Sequence, residues 1–334
     1  MAELTTVADD EAVIHDGPEA RRHRGLEHDT HHERDGFQFR TLPRFGERLA
    51  TVATVNDVHF GEEVCGLMEG VPDGPVFRVE PGADPYPEVM NRGAIEEIAA
   101  IQPDAVLVKG DLTCDGLDEE YAAFLAAYGP AFGDRLHHVR GNHDAYRHQT
   151  YAPEGPQRID VEGLTLALLD TTIPGHTTGQ VPDAQLEWLE DLAAEADRPV
   201  LVLGHHHVWN PAASARPDDY FGIHPDDSER FIAAVARQPR ILGYAAGHTH
   251  RNRVRRFAAT GDRPWIEVAC VKDYPGTWAE YRVFDGGVLQ VHRRISTPEA
   301  LAWTEQTRGM FGGAYGSYAF GELHDRCFAM PASP

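Results

Sequence analysis

The chain has 334 residues, of which 42% are hydrophobic. That length and composition suffice for a buried core in one large domain or two ordinary ones. Asp and Glu number 53 against 30 Lys and Arg, for a formal net charge of -23. Such acidity disfavours a protein that binds long nucleic acid or an anionic membrane through a basic face, so an anionic substrate would have to be attracted locally, as bound divalent cations would do.

The first residues lack the apolar centre of a signal peptide, and no apolar stretch reaches the roughly 20 residues of a membrane span. The four cysteines are widely spaced, without a CxxC or a Cys/His zinc pattern, so they are predicted to be reduced thiols. We therefore expect a soluble, cytoplasmic protein.

Residues 1–45 are polar and rich in histidine, including His28, His31 and His32, and they show little hydrophobic periodicity. We expect an extended or partly disordered arm there, more typical of a solvated leader than of a selective metal site. Residues 46–296 are predicted to form the main domain.

Short apolar runs then alternate with amphipathic stretches, a rhythm typical of an α/β fold. Strands are predicted at residues 50–55, 105–108, 136–139, 164–169, 200–203 and 241–245. Helices are predicted where apolar residues recur at helical spacing after a polar residue or a proline. These helices are at residues 87–101, 118–128, 183–196 and 227–237.

The later part of the chain has β-type segments without helices between them, at residues 253–258, 265–270, 280–284 and 288–295. They favour a second, more antiparallel sheet. Residues 60–91 carry five prolines and form an insertion, and the Gly- and aromatic-rich residues 297–334 are predicted to be a loop-rich extension. Both segments are expected to border a substrate cleft.

Five polar clusters follow predicted strands. They are Asn56-Asp57-Val58-His59, Gly110-Asp111, Gly141-Asn142-His143-Asp144, Gly204-His205-His206-His207 and Gly247-His248-Thr249-His250. Because ligands of open α/β sheets bind beyond the carboxyl ends of the strands, these loops are expected to converge on one crevice.

Residue spacing within the clusters indicates a metal centre. Asp57 and His59 are two residues apart, as are His248 and His250, and in an extended segment such pairs direct both side chains to one side. One ion would take ligands from Asp57, His59 and His250, while His248 turns to a second ion. Asp111, on a tight turn after a glycine, is the candidate bridge between the ions.

Asn142 and His205 would complete the shell of the second ion. Mixed oxygen and nitrogen donors suit divalent or trivalent Mn, Fe, Zn or Co better than calcium. Each motif alone is weak, because a lone DxH or HxH pair, or a Gly-Asn-His-Asp turn, is common in ordinary loops. The order of the motifs, each after a strand, is the stronger signal.

Together the five clusters resemble the signature of the calcineurin-like metallophosphoesterase superfamily, over residues 49–252. Less specific stretches at residues 108–113, 169–172 and 179–205 are similar to the bacterial cyclic-nucleotide and glycerophosphodiester phosphodiesterases. The resemblance implies a four-layer α-β-β-α sandwich with two mixed sheets and a dinuclear metal site at the carboxyl ends of the strands.

The same resemblance implies roles for single residues. The implied ligands are Asp57, His59 and His250 for the first ion, Asp111 as the bridge, and Asn142, His205 and His248 for the second ion. His206 competes with His205, because this chain has three consecutive histidines where relatives often have His-His-Pro. His143 would lie beside the phosphate as a catalytic group polarised by Asp144 or another acceptor; the alternative is a histidine that only orients Asp111.

The predicted function is metal-dependent hydrolysis of small phosphodiesters, of the cyclic-nucleotide or glycerophosphodiester type. Two ions about 3.5–4 Å apart would hold a bridging hydroxide that attacks phosphorus. A phosphomonoesterase on the same site and a catalytically silent protein-binding scaffold are the alternatives, and a nuclease of long chains is disfavoured. The aromatic residues of the extension leave open a lid over the cleft or a homo-oligomer contact.

Overall fold

Two six-stranded sheets form the centre of the protein. The computed structural model describes residues 2–67, 70–71, 73–149, 151–152 and 154–332. In chain order the strands are β1 (Glu3–Val7), β2 (Glu11–Asp16), β3 (Glu19–Arg24), β4 (His31–Arg34), β5 (Phe37–Arg40), β6 (Arg48–Val55), β7 (Val64–Cys65), β8 (Phe77–Arg78), β9 (Ala105–Lys109), β10 (Leu136–Val139), β11 (Gln157–Val161), β12 (Leu164–Leu168), β13 (Val200–Leu203), β14 (Ile241–Ala246), β15 (Arg253–Arg256), β16 (Pro264–Glu267), β17 (Thr277–Phe284), β18 (Gly287–Arg294) and β19 (Phe328–Pro331). The helices are α1 (Tyr86–Ala100), α2 (Asp118–Phe132), α3 (Asn142–Ala145), α4 (Asp183–Glu195), α5 (Pro225–Arg237), α6 (Pro298–Thr307), α7 (Ala314–Phe320) and α8 (Leu323–Arg326).

The first sheet has the strand order β10-β9-β6-β17-β18-β19, and the second has the order β11-β12-β13-β14-β16-β15. In the first sheet β10, β9 and β6 are parallel and the remaining pairs are antiparallel. In the second sheet β12, β13, β14 and β16 are parallel, and both edge strands are antiparallel. Both sheets are therefore mixed, as the resemblance implied.

The β-type segments of the later chain do not form a separate antiparallel sheet, so that expectation is wrong. β15 and β16 extend the second sheet, whereas β17 and β18 pair beside β6 in the first. The physical reason is that β17 is buried along its whole length and pairs with β6, which lies more than 200 residues earlier in the chain.

Helices cover the outer faces of the two sheets, which completes four layers. Val52 and Leu107 of the first sheet pack against Leu166 and Leu203 of the second in the central core. On the outer face of the first sheet, the buried side chains of α1, α2 and α6 pack against β6 and β9. Those of α4 and α5 pack against the second sheet. Strands buried on both faces explain the continuous apolar runs in the sequence.

Prolines open several of the helices. Pro87, Pro225 and Pro298 lie in the first turns of α1, α5 and α6. Backbone N–H groups in a first turn have no acceptor within the helix, so a proline there removes no helical hydrogen bond. Among the described residues, none of these helices is long and apolar enough to cross a membrane.

The N-terminal segment is folded, so the expectation of an extended or partly disordered arm is wrong. β1, β2 and β3 form an antiparallel sheet, and β4 and β5 form a hairpin. Arg282 of β17 holds this segment, with Nη1 2.7 Å from Asp10 Oδ1 and Nη2 3.1 Å from Glu11 Oε1. The Thr6 hydroxyl donates to the His292 carbonyl at 2.8 Å. Hydrophobic periodicity did not reveal this fold, because its few buried apolar residues come from separate short segments that pack together only in the folded chain.

The C-terminal extension is also more regular than the predicted loops. It contains α6, α7 and α8, and β19 pairs with β18 at the edge of the first sheet. The helices are short, so they offer too few turns for a period to be recognised in the sequence.

The insertion and the extension meet above the carboxyl ends of the strands. Cys65 and Tyr86 of the insertion share a buried cluster with Met310 and Tyr315 of the extension, and Cys65 Sγ lies 3.6 Å from Met310 Sδ. Met68, Glu69 and Pro72 of the insertion lie outside the described residues, as do residues 333 and 334 of the extension.

Candidate metal centre

Five loops bring the sequence-predicted residues to one place. The loops follow β6, β9, β10, β13 and β14, which are neighbours within their sheets. Backbone bonds join the loops to one another: the Asp57 amide donates to the Gly110 carbonyl at 3.1 Å, and the Gly247 amide donates to the His205 carbonyl at 2.9 Å. Between the sheets, the His248 amide donates to Asp57 Oδ2 at 3.0 Å, so the carboxyl ends of both sheets meet at a shared crevice.

The candidate ligands carry an unusual backbone conformation. The φ angles of Asp57, His59, Asp111, His248 and His250 lie between 46° and 68°. This corrects the expectation that these spaced pairs stand in extended segments. Non-glycine residues in this left-handed region cost on the order of 1 kcal/mol each and cluster at functional sites, and Asp and His are among the residues that tolerate it best.

One group of candidate ligands consists of Asp57, His59 and His250. Each offers one donor atom, and these atoms lie within 4.8 Å of one another. His250 Nε2 lies 3.5 Å from Asp57 Oδ1. His59 Nε2 also lies 3.5 Å from Asp111 Oδ2, so the Asp111 carboxylate borders this group.

A second group of candidate ligands also borders Asp111. His205 Nε2 lies 3.3 Å from Asp111 Oδ2 and 3.0 Å from Asn142 Oδ1. His248 Nδ1 lies 3.2 Å from His205 Nε2. Asp111 Oδ2 therefore contacts a histidine of each group.

The geometry favours His205 over His206 as the ligand. His206 Nδ1 lies 2.8 Å from the Thr171 hydroxyl, and the His206 ring contacts neither carboxylate in a hydrogen bond or ion pair among those described. His206 does form a group with His205 and His248 in which one donor atom of each residue lies within 4.8 Å of the others. His205 alone of the two contacts both Asp111 and Asn142.

The donor set fits transition-metal ions. His248 Nε2 is buried and has no hydrogen-bond partner among the described residues. Asp57 is fully buried and Asp111 is 2% exposed. Buried carboxylates and unpartnered imidazole nitrogens are costly unless they are paired or bind a cation. Oxygen and nitrogen donors in this mixture suit Mn, Fe, Zn or Co.

The electrostatics of the centre keep the carboxylates ionised. Burial opposes the charge on Asp111, but His205 and His143 outweigh it and hold the pKa of Asp111 well below its ordinary range. Burial likewise opposes ionisation of Asp57, yet His250 lowers the pKa of that carboxyl to about 2. Burial also favours neutral His205, while Asp111 raises the pKa of His205 to about 9. The centre thus attracts positive charge.

His143 lies at the edge of the centre. Its Nδ1 is 2.6 Å from the Cys114 carbonyl oxygen, and its backbone amide donates to Asp111 Oδ1 at 3.0 Å. Asp144 does not polarise the ring; its carboxylate accepts from the amides of Gly141 and Thr113 at 2.7 and 2.9 Å. The acceptor for His143 is therefore the Cys114 carbonyl, and Asp144 joins two loops.

Sequence reasoning missed a group of buried charges behind the histidines. Glu62 Oε2 lies 3.0 Å from His59 Nδ1, and Asp273 Oδ2 lies 3.9 Å from His250 Nδ1. Lys272 Nζ contacts both acids, at 2.8 Å from Glu62 Oε1 and 3.0 Å from Asp273 Oδ2. The available signal was the rarity of lysine: Lys272 is one of two in the chain.

A cavity of about 770 Å³ opens over the centre. The candidate ligands His59, Asp111, Asn142, His248 and His250 line its floor, with His143 beside them. The insertion and the extension supply other parts of the lining. A small substrate can therefore reach the candidate ligands.

Comparison with known proteins places the chain among phosphoesterases. A family model described as calcineurin-like phosphoesterase matches residues 50–252. The chain is 32% identical over 162 residues to glycerophosphodiester phosphodiesterase GpdQ of Enterobacter lignolyticus, which covers 45% of this chain and 56% of that protein. It is 29% identical over 163 residues to 3',5'-cyclic adenosine monophosphate phosphodiesterase CpdA of Pseudomonas aeruginosa, which covers 47% and 58%. The match thus spans a little over half the length of these relatives.

A solved structure shares the fold. A dimetal phosphatase from Danio rerio superposes with a TM-score of 0.60 at 15% identity, over 75% of this chain and 98% of that one. The family model covers more than half of the chain, and it begins and ends close to the limits that the motifs indicated. The chain belongs to the calcineurin-like phosphoesterase family.

Proposed function

We propose that the protein hydrolyses small phosphodiesters at this centre, of the cyclic-nucleotide or glycerophosphodiester type. The observation that carries the proposal is that the Asp111 carboxylate contacts a histidine from each of two groups of oxygen and nitrogen donors, beside an open cavity. The names of the two relatives above, one a cyclic-AMP and one a glycerophosphodiester phosphodiesterase, support a diester.

Asp57, His59 and His250 would hold one ion, Asn142, His205 and His248 the other, with Asp111 shared. Mn, Fe, Zn or Co ions held there would neutralise phosphate charge and lower the pKa of a water molecule. The loops hold the donors rigidly, because Asp57 also accepts from the His248 amide at 3.0 Å and so joins both sides of the crevice. The net charge of -23 disfavours long nucleic acid as a substrate.

His143 is the proposed proton donor to the leaving oxygen. Its Nδ1 is held by the Cys114 carbonyl, which leaves Nε2 for the cavity that His143 lines. Burial lowers the pKa of His143, although the Asp111 charge opposes that shift. A protonated His143 is therefore a stronger acid than an exposed histidine, and general acid catalysis contributes roughly 10²–10⁴-fold.

The test compares a diester with a monoester on one protein sample. Protein loaded with Mn is assayed with bis(p-nitrophenyl) phosphate and with p-nitrophenyl phosphate, and we expect the larger kcat/KM for the diester. Asp111→Ala and Asn142→Ala should abolish turnover. A larger value for the monoester would instead identify a phosphomonoesterase, and a protein that neither binds metal nor turns over either ester would be a silent scaffold.

A further inference from the structure

The exposed apolar side chains of this protein concentrate at the cavity. Among the described residues, the large hydrophobic side chains that are exposed are Leu67, Val71, Val76, Leu125, Phe221 and Tyr318. All of these except Val76 and Leu125 line the cavity over the metal centre. A monomeric protein rarely groups exposed apolar surface without a ligand for it.

We call these four side chains, together with the half-buried Phe311 that also lines the cavity, the apolar wall; it consists of Leu67, Val71, Phe221, Phe311 and Tyr318. The wall contacts the loop that carries candidate ligands. The Phe221 ring stacks on the ring of His248 at a centroid distance of 4.0 Å. The Tyr318 hydroxyl donates to the Thr249 carbonyl at 2.9 Å, between the two histidines of that loop. A phosphate held at the centre would therefore place its substituent against the wall.

The lining offers little to a charged substituent. Among the described residues around the cavity, Lys272 is the only lysine or arginine, and its ammonium is paired with Glu62 and Asp273. A second phosphate or carboxylate on the substrate would find no free counter-charge there. A hydrocarbon group would instead cover apolar surface that is otherwise exposed to water.

Resting on the diesterase activity of the proposed function, and not on either of the two substrate types named there, we propose that the cleft favours phosphodiesters in which one ester group is an uncharged hydrocarbon, and that the apolar wall binds this group. In the reaction a water oxygen attacks phosphorus, the P–O bond to the leaving alcohol or phenol breaks, and the leaving oxygen receives a proton. The hydrocarbon substituent stays on the phosphate monoester product when it is not the leaving group.

The test uses two diesters with one leaving group. p-Nitrophenyl hexyl phosphate and p-nitrophenyl methyl phosphate release the same phenol, so only the contact of the alkyl chain differs. Each fully buried methylene is worth about fourfold. We expect kcat/KM for the hexyl ester to exceed that for the methyl ester by about tenfold or more, since the wall buries only part of the chain. A ratio near one, or a preference for the methyl ester, would overturn the proposal.

Substitutions in the apolar wall test whether its side chains cause the preference for the hexyl ester. Phe221→Ser and Leu67→Ser should each lower the hexyl-to-methyl ratio severalfold. Leu125→Ser is the matched control, because Leu125 is 38% exposed but lies on α2, outside the cavity. It should leave both rates and their ratio unchanged. A ratio that stays high in both wall variants would refute the assignment of the wall.

Binding separates this inference from the proposed function. If metal-loaded protein turns over neither ester, the proposed diesterase activity fails. Calorimetric titration with hexyl(methyl)phosphinic acid and dimethylphosphinic acid then measures binding to the cleft directly, because their alkyl groups are joined to phosphorus by P–C bonds that hydrolysis does not break. Tighter binding of the hexyl compound would support the apolar wall, and equal affinity would overturn it.

Discussion

Lys272 Nζ lies 2.8 Å from Glu62 Oε1, across 210 residues of sequence, and both side chains are buried. The other carboxylate oxygen of Glu62 faces His59 Nδ1 at 3.0 Å. Lys272 thus stabilises the charge that orients a candidate metal ligand. Carboxylates behind ligating histidines set the ring orientation and raise the basicity of the metal-bound nitrogen.

Lys272→Met should destabilise the protein and weaken metal binding. It leaves the buried Glu62 and Asp273 carboxylates without their cation, which costs roughly 3–5 kcal/mol of unfolding free energy. It also loosens the support of His59, so affinity for Co(II) should fall by about 10–100-fold. Urea denaturation and a Co(II) titration followed by visible absorption measure the two effects.

Arg92→Met serves as the control for Lys272→Met. Arg92 pairs with Asp84 at 3.0 Å, but both side chains are more than 60% exposed. Such a pair contributes about 0–1 kcal/mol. If Lys272→Met behaved like Arg92→Met in both measurements, the buried charges would have no part in supporting the centre.

His143→Gln should slow the hydrolysis of diesters, and the loss in rate should be larger for a more basic leaving group. A proton donor helps an alkoxide leave far more than it helps p-nitrophenolate. The loss in kcat should approach 10²–10⁴-fold for an alkyl leaving group and be much smaller for p-nitrophenolate, with metal content unchanged. The exposed His28, changed to Gln, is the control. An equal loss for both leaving groups would mean that His143 only orients Asp111.

His205→Ala should remove more bound metal than His206→Ala. His205 Nε2 contacts both the Asp111 and the Asn142 oxygens, whereas the His206 ring is held at Nδ1 by Thr171. Metal per chain, measured by mass spectrometry after gel filtration, should fall by about one ion in His205→Ala. Greater loss from His206→Ala would reverse the assignment.

The free energy of unfolding should fall in acid because Glu280 becomes protonated. Burial opposes its charge, but Arg293 and Arg282 lower the pKa of Glu280 to about 2 from 4.5. Because the folded-state pKa is depressed, this contribution is complete above the unfolded value of 4.5 and is lost as the pH falls through about 2. Its size is on the order of 3 kcal/mol.

Urea denaturation between pH 7 and pH 2.5 tests the Glu280 prediction. Glu280→Gln should be less stable than the parent protein at pH 7, and the difference should shrink as the pH falls. Glu299→Gln, at an exposed position in the first turn of α6, is the control. A constant difference across the range would contradict the assignment.

The sequence by itself determined the central strands, the four longest helices and the identity of the candidate ligands. The predicted strand at residues 136–139 coincides with β10, and the predicted helix at residues 183–196 differs from α4 by one residue. These elements bury continuous or periodic apolar surface, and local periodicity reports that burial directly. The clusters after the strands could be recognised because their order along the chain is itself a pattern.

Only the tertiary structure decided how the ligands face one another and what surrounds them. The left-handed turns at Asp57 and His248 follow from bonds between loops, which spacing in the sequence does not record. The folding of the N-terminal segment on Arg282, and the pairing of Lys272 with Glu62, join residues more than 200 positions apart. Such contacts leave no local period, because their partners are chosen by the packing of the whole chain.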